Sequence, residues 1–385
     1  MRRVVLLKGD GIGPEISAAA VHVLREIGAT DRVELIEAEA GSEWWRSHGG
    51  NSYVPEDTWR LLEDSDACIK APFTTLYEPG APRSAVVAIR QRFDLYANVR
   101  PIKTFRGMRG PLGPVRHIYV RENTEDLYAG IEYGITPEAS ISIRKATYFA
   151  SSRLVRRALE LASGLSWRRA FIVHKATVIR ETDGMFVRAA RDVAAEYPGI
   201  ELREILVDNM AQQLILNPQQ FDDSVIAGPN LYIDILSEES AALVGGISAV
   251  YSANMGDSYA MFEPAHGSAP GLKGKGVANP MAMILASAAA LNYLGEESLA
   301  LAIVEGVERT VEEGRILTPD MGGSSSTMDV ALAVARHAKE ALASGQLQRS
   351  PLIFPWRRRS AGVAAPILRA TDREALSLSR TSSTR

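Results

Sequence analysis

The chain predicts an α/β fold in two lobes, with helices covering a largely parallel sheet and without a Rossmann domain. Three observations lead there. Strand-like apolar runs alternate with longer helix-like segments, the pattern of βαβ units. At 385 residues the chain exceeds the size at which one core stops growing, so two lobes are expected. The glycine turn Gly9-Asp10-Gly11-Ile12-Gly13-Pro14-Glu15 fails the dinucleotide spacing. Counted from Gly9 the third glycine position is Pro14, and counted from Gly11 it is Ile16.

The elements follow in order. Val4 to Leu7 is a short β-type run, and the glycine turn leads it into a helix from about Pro14 to Ile27. Val33 to Ala38 reads as a strand, and so does Ala170 to Val173, with a helix from about Thr182 to Tyr197. Val225 to Ala227 is a short strand entering the segment Asn230 to Glu238. Met281 to Tyr293, Leu299 to Glu313 and Met328 to Leu342 read as helices, the first alanine-rich and buried. From about Gly345 the composition turns to Pro, Ser and Arg, which predicts a poorly ordered extension over 346–385. Leu352, Ile353, Phe354 and Trp356 are the residues that could anchor part of it.

Composition excludes several classes. Apolar residues make up 46%, ample for buried cores, and a net charge of −3 argues against a nucleic-acid surface. The single cysteine, Cys68, rules out internal disulfides and suits a reducing cytoplasm. The first residues carry too short an apolar run for a signal peptide, and Met281 to Leu294 is too short to span a bilayer. A cytoplasmic protein that binds neither membrane nor nucleic acid is expected.

The chemistry concentrates in a few places. Asp234 and Glu238 lie four apart, so a helix would put both on one face and offer hard oxygen ligands to a divalent cation. Arg90, Arg100 and Arg121 sit in suggestive contexts, with Arg144 as a fourth possibility. Converging guanidinium forks would suit a di- or tricarboxylate, although most arginines simply line surfaces. Lys175 ends the apolar run Phe171 to Val173, where α/β proteins place ligands. Desolvated, it would serve as a base; solvated, it snorkels. Tyr128 is either a proton donor or a packed core residue.

Ordered motifs then join these residues. They are GDGIGPE at Gly9 to Glu15, IRQRFDLYANVRP at Ile89 to Pro101, RENTEDLYAGIE at Arg121 to Glu132, HKATV at His174 to Val178 and VDNMAQQ at Val207 to Gln213. The Asn230 to Glu238 segment and FEPAHGSAP with GKGVANP, within Phe262 to Pro280, complete the set. With these motifs the chain resembles the isocitrate/isopropylmalate dehydrogenase family from about Val4 to Leu342.

The resemblance implies an isocitrate/isopropylmalate dehydrogenase-like fold in two lobes. A large, discontinuous cofactor-side domain would span 1–95 and 248–345. A small domain at 96–247 would carry the dimer interface and an arm near Ile131 to Lys145. The resemblance also implies NAD(P)- and Mg²⁺- or Mn²⁺-dependent oxidative decarboxylation of a 3-substituted malate. Ser84, Arg90, Arg100 and Arg121 would bind substrate, with Tyr128 the general acid and Lys175 the general base. Asp208, Asp234 and Glu238 would hold the metal. Gln213, Glu263, His266, Gly267, Ala269 and Asn279 would contact the cofactor. Lys175 and Asp208 would serve the neighbouring subunit's site, which makes a homodimer the smallest active unit.

Five positions depart from the family pattern: Val86, Thr177, Ile233, Glu238 and Gly271. RENTEDLYAGIE and Gln212-Gln213 point to an isocitrate-like substrate, whereas Val86 and Val87 make the side pocket more apolar, as for isopropylmalate. Homoisocitrate, tartrate or another 3-substituted malate are further alternatives, and a weakly active regulatory subunit is the alternative from another class. NAD is expected over NADP. The positions that grip a 2′-phosphate in related NADP enzymes read Gly271, Leu272, Pro319 and Gly323, although Lys273, Lys275 or Arg315 lie near.

Overall fold

The structure, a computed structural model, describes residues 1–108, 110–345 and 347–356. β1 (Arg2–Leu7) passes through the glycine turn into α1 (Gly13–Glu26), and β2 (Val33–Ala38) returns beside β1. α2 (Ser42–His48), α3 (Glu56–Glu63), β3 (Ala67–Lys70) and α4 (Ala85–Arg92) follow. β4 (Ala97–Lys103) and β5 (Arg116–Glu122) are antiparallel neighbours, and β6 (Glu132–Thr136) with β7 (Ala139–Ser142) forms a separate hairpin. Next come α5 (Tyr148–Gly164), β8 (Arg169–His174), α6 (Thr182–Ala194), β9 (Glu201–Leu206), α7 (Val207–Leu216), β10 (Ser224–Gly228) and α8 (Asn230–Leu243). β11 (Tyr251–Met255), β12 (Ala260–Pro264), α9 (Met281–Tyr293), α10 (Glu297–Glu313) and α11 (Thr327–Ser344) complete the order.

Ten strands form one sheet in the order β2-β1-β3-β12-β11-β4-β5-β10-β8-β9. It is parallel towards both edges and antiparallel in the centre, at β12–β11, β11–β4 and β4–β5. The β11–β4 junction is where the chain leaves one half of the sheet for the other. Strands before residue 95 and after 248 lie on one side of it, and β4, β5, β8, β9 and β10 on the other.

Helix placement follows from pattern. α9 is buried along its whole length because it is apolar all round. α11 opens on a capping box between Ser326 and Asp329 and ends at Gly345 with φ +66°. The largest apolar cluster joins α1, α5 and α9–α11 to one sheet face, and a second lies under α7 and α8.

The glycine turn packs rather than cradling phosphate in a dinucleotide fingerprint. Gly11 has φ +59°, and a Cβ there would stand 2.1 Å from the Ser268 carbonyl oxygen. The turn is thereby pressed onto the loop after β12, with Ile12 N–H donating to Ser268 O at 2.9 Å.

Of the extension expected to be poorly ordered over 346–385, residues 347–356 are docked instead, through the residues the sequence offered as anchors. Leu352, Phe354 and Trp356 are buried in the main core. Tyr251 Oη donates to Leu352 O, and Asn292 Nδ2 donates to Phe354 O at 2.9 Å. Arg157 of α5 lies 5.0 Å over the Trp356 ring. Three large apolar side chains outweigh a polar, proline-bearing context once a groove is there to take them. Residues 357–385 of the expected extension lie outside the described residues.

Candidate active site

A cleft of about 250 Å³ gathers the chemistry. A roomier hollow of about 530 Å³ behind the strap of residues 349–355 has none of the expected site residues on its walls. Arg90 comes from the end of α4, Arg100 from β4, Arg121 from β5, Asp234 and Glu238 from α8, and Glu263 from β12. Tyr128 sits on a single 3₁₀ turn, Leu127–Ala129. His266 and Gly267 close the cleft just beyond β12.

Sheet register sets the arginines. Asn98 on β4 lies opposite Asn254 on β11 and Arg121 on β5, so the three share one face. Arg100, two residues along, shares it too. Asn98 Nδ2 donates to Asn254 Oδ1 at 2.8 Å, and Arg100 Nε donates to Asn98 Oδ1 at 3.1 Å. Asn254 Nδ2 in turn donates to Glu263 Oε1 at 2.8 Å, and Arg90 Nη2 reaches the same oxygen at 3.2 Å. An unbroken run of hydrogen bonds thus joins Arg90 to Arg100 across the centre of the sheet.

Asp234 and Glu238 do share one helix face, as their spacing predicts. Arg121 Nη1 pairs with Asp234 Oδ1, Arg100 Nη1 donates to Glu238 Oε1 at 3.0 Å, and Tyr128 Oη donates to Asp234 Oδ2 at 2.6 Å. Burial, with Arg100 and Arg90 beside it, pulls the Arg121 guanidinium down to about 10. Burial also raises the Tyr128 hydroxyl; nearby Arg121 opposes this and the bond to Asp234 reinforces it. Glu238 is raised by burial against the pull of Arg100. Burial works against ionisation of Glu263 too, but Lys70 and Arg90 outweigh it and hold the carboxyl at about 2.

The other expected residues lie apart from the cleft wall. Ser84 flanks the start of α4. Lys175 and Asp208 pair with each other at 2.5 Å, and Gln213 on α7 accepts from Gln220 at 2.9 Å. Asn279 donates to Asp320 at 3.1 Å, and Ala269 takes a left-handed conformation at φ +39°. Arg144 faces buried Asp126 and Asp183 rather than the cleft.

Sequence reasoning passed over Lys70, a fully buried ammonium 2.7 Å from Glu263. The signal was there: Lys70 ends the apolar run Ala67 to Ile69, as Lys175 ends its own.

The residues present fit the groups the fold implies. Two carboxylates one turn apart give the hard oxygen ligands a divalent cation takes, and Mg²⁺ is often held by only one or two of them. Among the described residues no cluster of three or more such ligands is preformed. His266 Nε2 is buried without a hydrogen-bond partner among the described residues, as a ring that awaits a polar group would be. No helix among the described residues is long and apolar enough to cross a membrane.

Known proteins share this architecture. The family profile for isocitrate/isopropylmalate dehydrogenase matches residues 3–334. A 3-isopropylmalate dehydrogenase of Methanothermobacter thermautotrophicus is 38% identical over 88% of this chain and 99% of its own length. An isocitrate/homoisocitrate dehydrogenase of Thermus thermophilus is 41% identical over 84% of this chain and 95% of its own. A regulatory subunit of NAD isocitrate dehydrogenase from Dictyostelium discoideum is 34% identical over 89% and 93%. The crystal structure of isocitrate dehydrogenase from Methylococcus capsulatus superposes with a TM-score of 0.84 at 38% identity, covering 88% of this chain and all of that one. Fold and sequence agree with these matches, and the chain belongs to the isocitrate/isopropylmalate dehydrogenase family.

Proposed function

We propose that this dehydrogenase oxidatively decarboxylates an isocitrate-like 3-substituted malate, one with three carboxylates. The supporting observation is the cleft's charge. Lys70, Arg90, Arg100 and Arg121 face Asp234, Glu238 and Glu263, which leaves one excess positive charge. A divalent cation raises the excess to three, which a tricarboxylate offsets and a dicarboxylate does not. Val86 and Phe73 also line the cleft and favour a second reading, a dicarboxylate with an apolar branch.

On this reading Arg90, Arg100 and Arg121 grip the substrate carboxylates and hold the substrate in one orientation in the cleft. Ser84 completes the substrate-binding set at the start of α4. Asp234 and Glu238 hold Mg²⁺ or Mn²⁺ together with Asp208 from a second copy of the chain. Gln213, Glu263, His266, Gly267, Ala269 and Asn279 contact the cofactor, with NAD preferred. A cation held there would supply Lewis acidity to the substrate's oxygens, and a bound nicotinamide would supply the hydride acceptor. Lys175 from the second copy takes the hydroxyl proton as hydride leaves C2. The C3 carboxylate departs as CO₂, its bonding pair forming the enolate. Tyr128 then protonates C3; its raised pKa keeps the phenol in the protonated form that a general acid needs.

The shared site makes a homodimer the working unit, and the exposed hairpin with Tyr133, Ile135 and Ile141 is the apolar arm available for it. Ile233, a departure from the family pattern, is buried in the core beneath α8 and does not line the cleft. Buried Cys68 and the lack of internal disulfides suit a cytoplasmic setting.

The deciding experiment is a purified-protein assay with Mn²⁺, both cofactors and a panel of 3-substituted malates. Isocitrate or homoisocitrate should give the highest kcat/KM. A clear preference for isopropylmalate would select the apolar reading. No reduction of either cofactor with any substrate would favour a regulatory subunit.

A further inference from the structure

Three parts of the candidate site arrive from distant stretches of chain. Tyr128 rides the turn after β5, Asp234 and Glu238 ride α8, and Lys175 follows β8. Behind the cleft one guanidinium joins all three. Arg144, two residues beyond β7, donates from Nε to Asp126 Oδ1 at 2.5 Å. Its Nη1 lies 2.9 Å from Asp183 Oδ1 and donates to Tyr232 Oη at 2.7 Å. The plane of the group covers the Tyr232 ring at 4.4 Å.

Both carboxylates are buried, and each spends its second oxygen on the backbone of a site segment. Asp126 Oδ2 accepts the Leu231 N–H at 2.8 Å, in the first turn of α8. Asp183 Oδ2 accepts the Lys175 N–H at 2.6 Å. Asp126 itself has φ 63° and ψ −148°, a region nearly reserved for glycine, and it opens the turn that carries Tyr128. A non-glycine residue holds such a conformation only where its surroundings fix it. Here the Arg144 pair fixes the side chain, and Lys145 O, which accepts the Asp126 N–H at 2.8 Å, fixes the backbone.

We propose that Arg144 is a positioning residue for the reaction, setting the Tyr128 turn, the start of α8 and the Lys175 backbone in one frame without touching substrate. The proposal rests on the roles given above. On that reading Tyr128 and α8 serve their own subunit and Lys175 serves the second copy, so Arg144 also couples the two sites of a dimer. Lysine cannot replace it, because a single ammonium lacks the planar fork that spans two carboxylates and a phenol.

The test uses full-length Arg144→Lys, Arg144→Met and Tyr232→Phe. Kinetics are measured well below each variant's Tm, and amide hydrogen exchange is followed alongside. Arg144→Lys should lower kcat by about 10- to 100-fold while substrate KM stays within about threefold, since small misplacements cost rate without removing a contact. Tyr232→Phe, which keeps both ion pairs, should lower kcat by about two- to fivefold and carries the test together with Arg144→Lys if Arg144→Met does not fold. Exchange at the Leu231 and Lys175 amides should rise together in Arg144→Lys while β10 stays protected. An unchanged kcat with only a lower Tm, or loosening of one amide without the other, would overturn the proposal. If the wild type turns over none of the substrates, the proposed function fails on its own, and the exchange result alone decides whether Arg144 sets the frame.

Discussion

Lys175 and Asp208 form an ion pair at 2.5 Å, and neither lines the cleft that holds Tyr128 and Asp234. Asp208 is the more exposed of the two, and the hydrogen bond from Lys175 lowers its pKa. On the proposed function these two residues are the base and a metal ligand, and their shared displacement is what a site completed by a second copy would require. Tyr128→Phe should therefore lower kcat by about 10²–10⁴-fold with little change in substrate affinity. Lys175→Met should be equally impaired. Mixed dimers of the two variants should regain activity in the half of the sites that carry both wild-type groups. Mixed dimers shown to form but lacking activity would remove the shared site.

Glu238 reaches Arg100 at 3.0 Å with one methylene more than the Asp expected from the family pattern. The longer arm should leave a looser cation site, which suits Mn²⁺ better than Mg²⁺ with its strict octahedral demand. Glu238→Asp should tighten metal binding and raise the relative affinity for Mg²⁺. Titration of both metals against both proteins reads this out, and identical affinities would place Glu238 outside the coordination sphere.

Buried Glu263 is held at about 2 by Lys70 and Arg90 in spite of its burial. Its carboxyl titrates near 4.5 when free. The folded value is the lower one, so the pair contributes its full stability above that free value and loses it as pH falls towards 2. Glu263→Gln leaves the Lys70 ammonium buried without its charge partner, at a cost of about 3–5 kcal/mol at neutral pH. The stability gap between wild type and variant, measured by denaturant unfolding, should narrow steadily below about pH 4. A gap independent of pH would show that the pair is not ionised in the folded protein.

Trp356 closes the strap over α5, buried and 5.0 Å from Arg157. Trp356→Ala should cost about 3–5 kcal/mol and lower Tm by several degrees. An unchanged Tm would mean that the strap adds nothing to the core.

Much of this was legible in the chain, for definite reasons. Val33–Ala38 and Met281–Tyr293 have the bounds the sequence predicts: the first is a short run with β-branched Val33 and Ile36, and the second is long, alanine-rich and interrupted only by Ser287 and Asn292. The helical spacing of Asp234 and Glu238 sufficed to place both on one face. The strap was half legible: composition averages over Pro, Ser and Arg and hides its order, but Leu352, Phe354 and Trp356, offered by the sequence as anchors, are the residues that dock. The frame around Arg144 was out of reach, because Asp126, Arg144, Asp183 and Leu231 are separated by long stretches of sequence, and no local pattern encodes such a contact. Lys70 was the avoidable omission, since a lysine inside an apolar run calls for a buried partner.

The proposed nucleotide preference rests on how Lys273, beside the proposed cofactor loop, is engaged. A 2′-phosphate needs a cation or several donors to offset its desolvation. Lys273 is the nearest such cation to the Ser268–Pro270 turn in sequence, but it pairs with Glu43 at 2.7 Å. Glu43 is fixed in turn by the Gly11 N–H, at 3.1 Å from Oε1. A phosphate would have to break that pair and would face the carboxylate it displaced, whereas the ribose hydroxyl of NAD meets no such conflict. kcat/KM should therefore favour NAD over NADP by about tenfold, roughly 1.4 kcal/mol. Glu43→Gln should release Lys273 and shrink the ratio mainly by improving NADP. A wild-type preference for NADP would reverse the assignment. A ratio unmoved by Glu43→Gln would show that the Glu43–Lys273 pair takes no part in it.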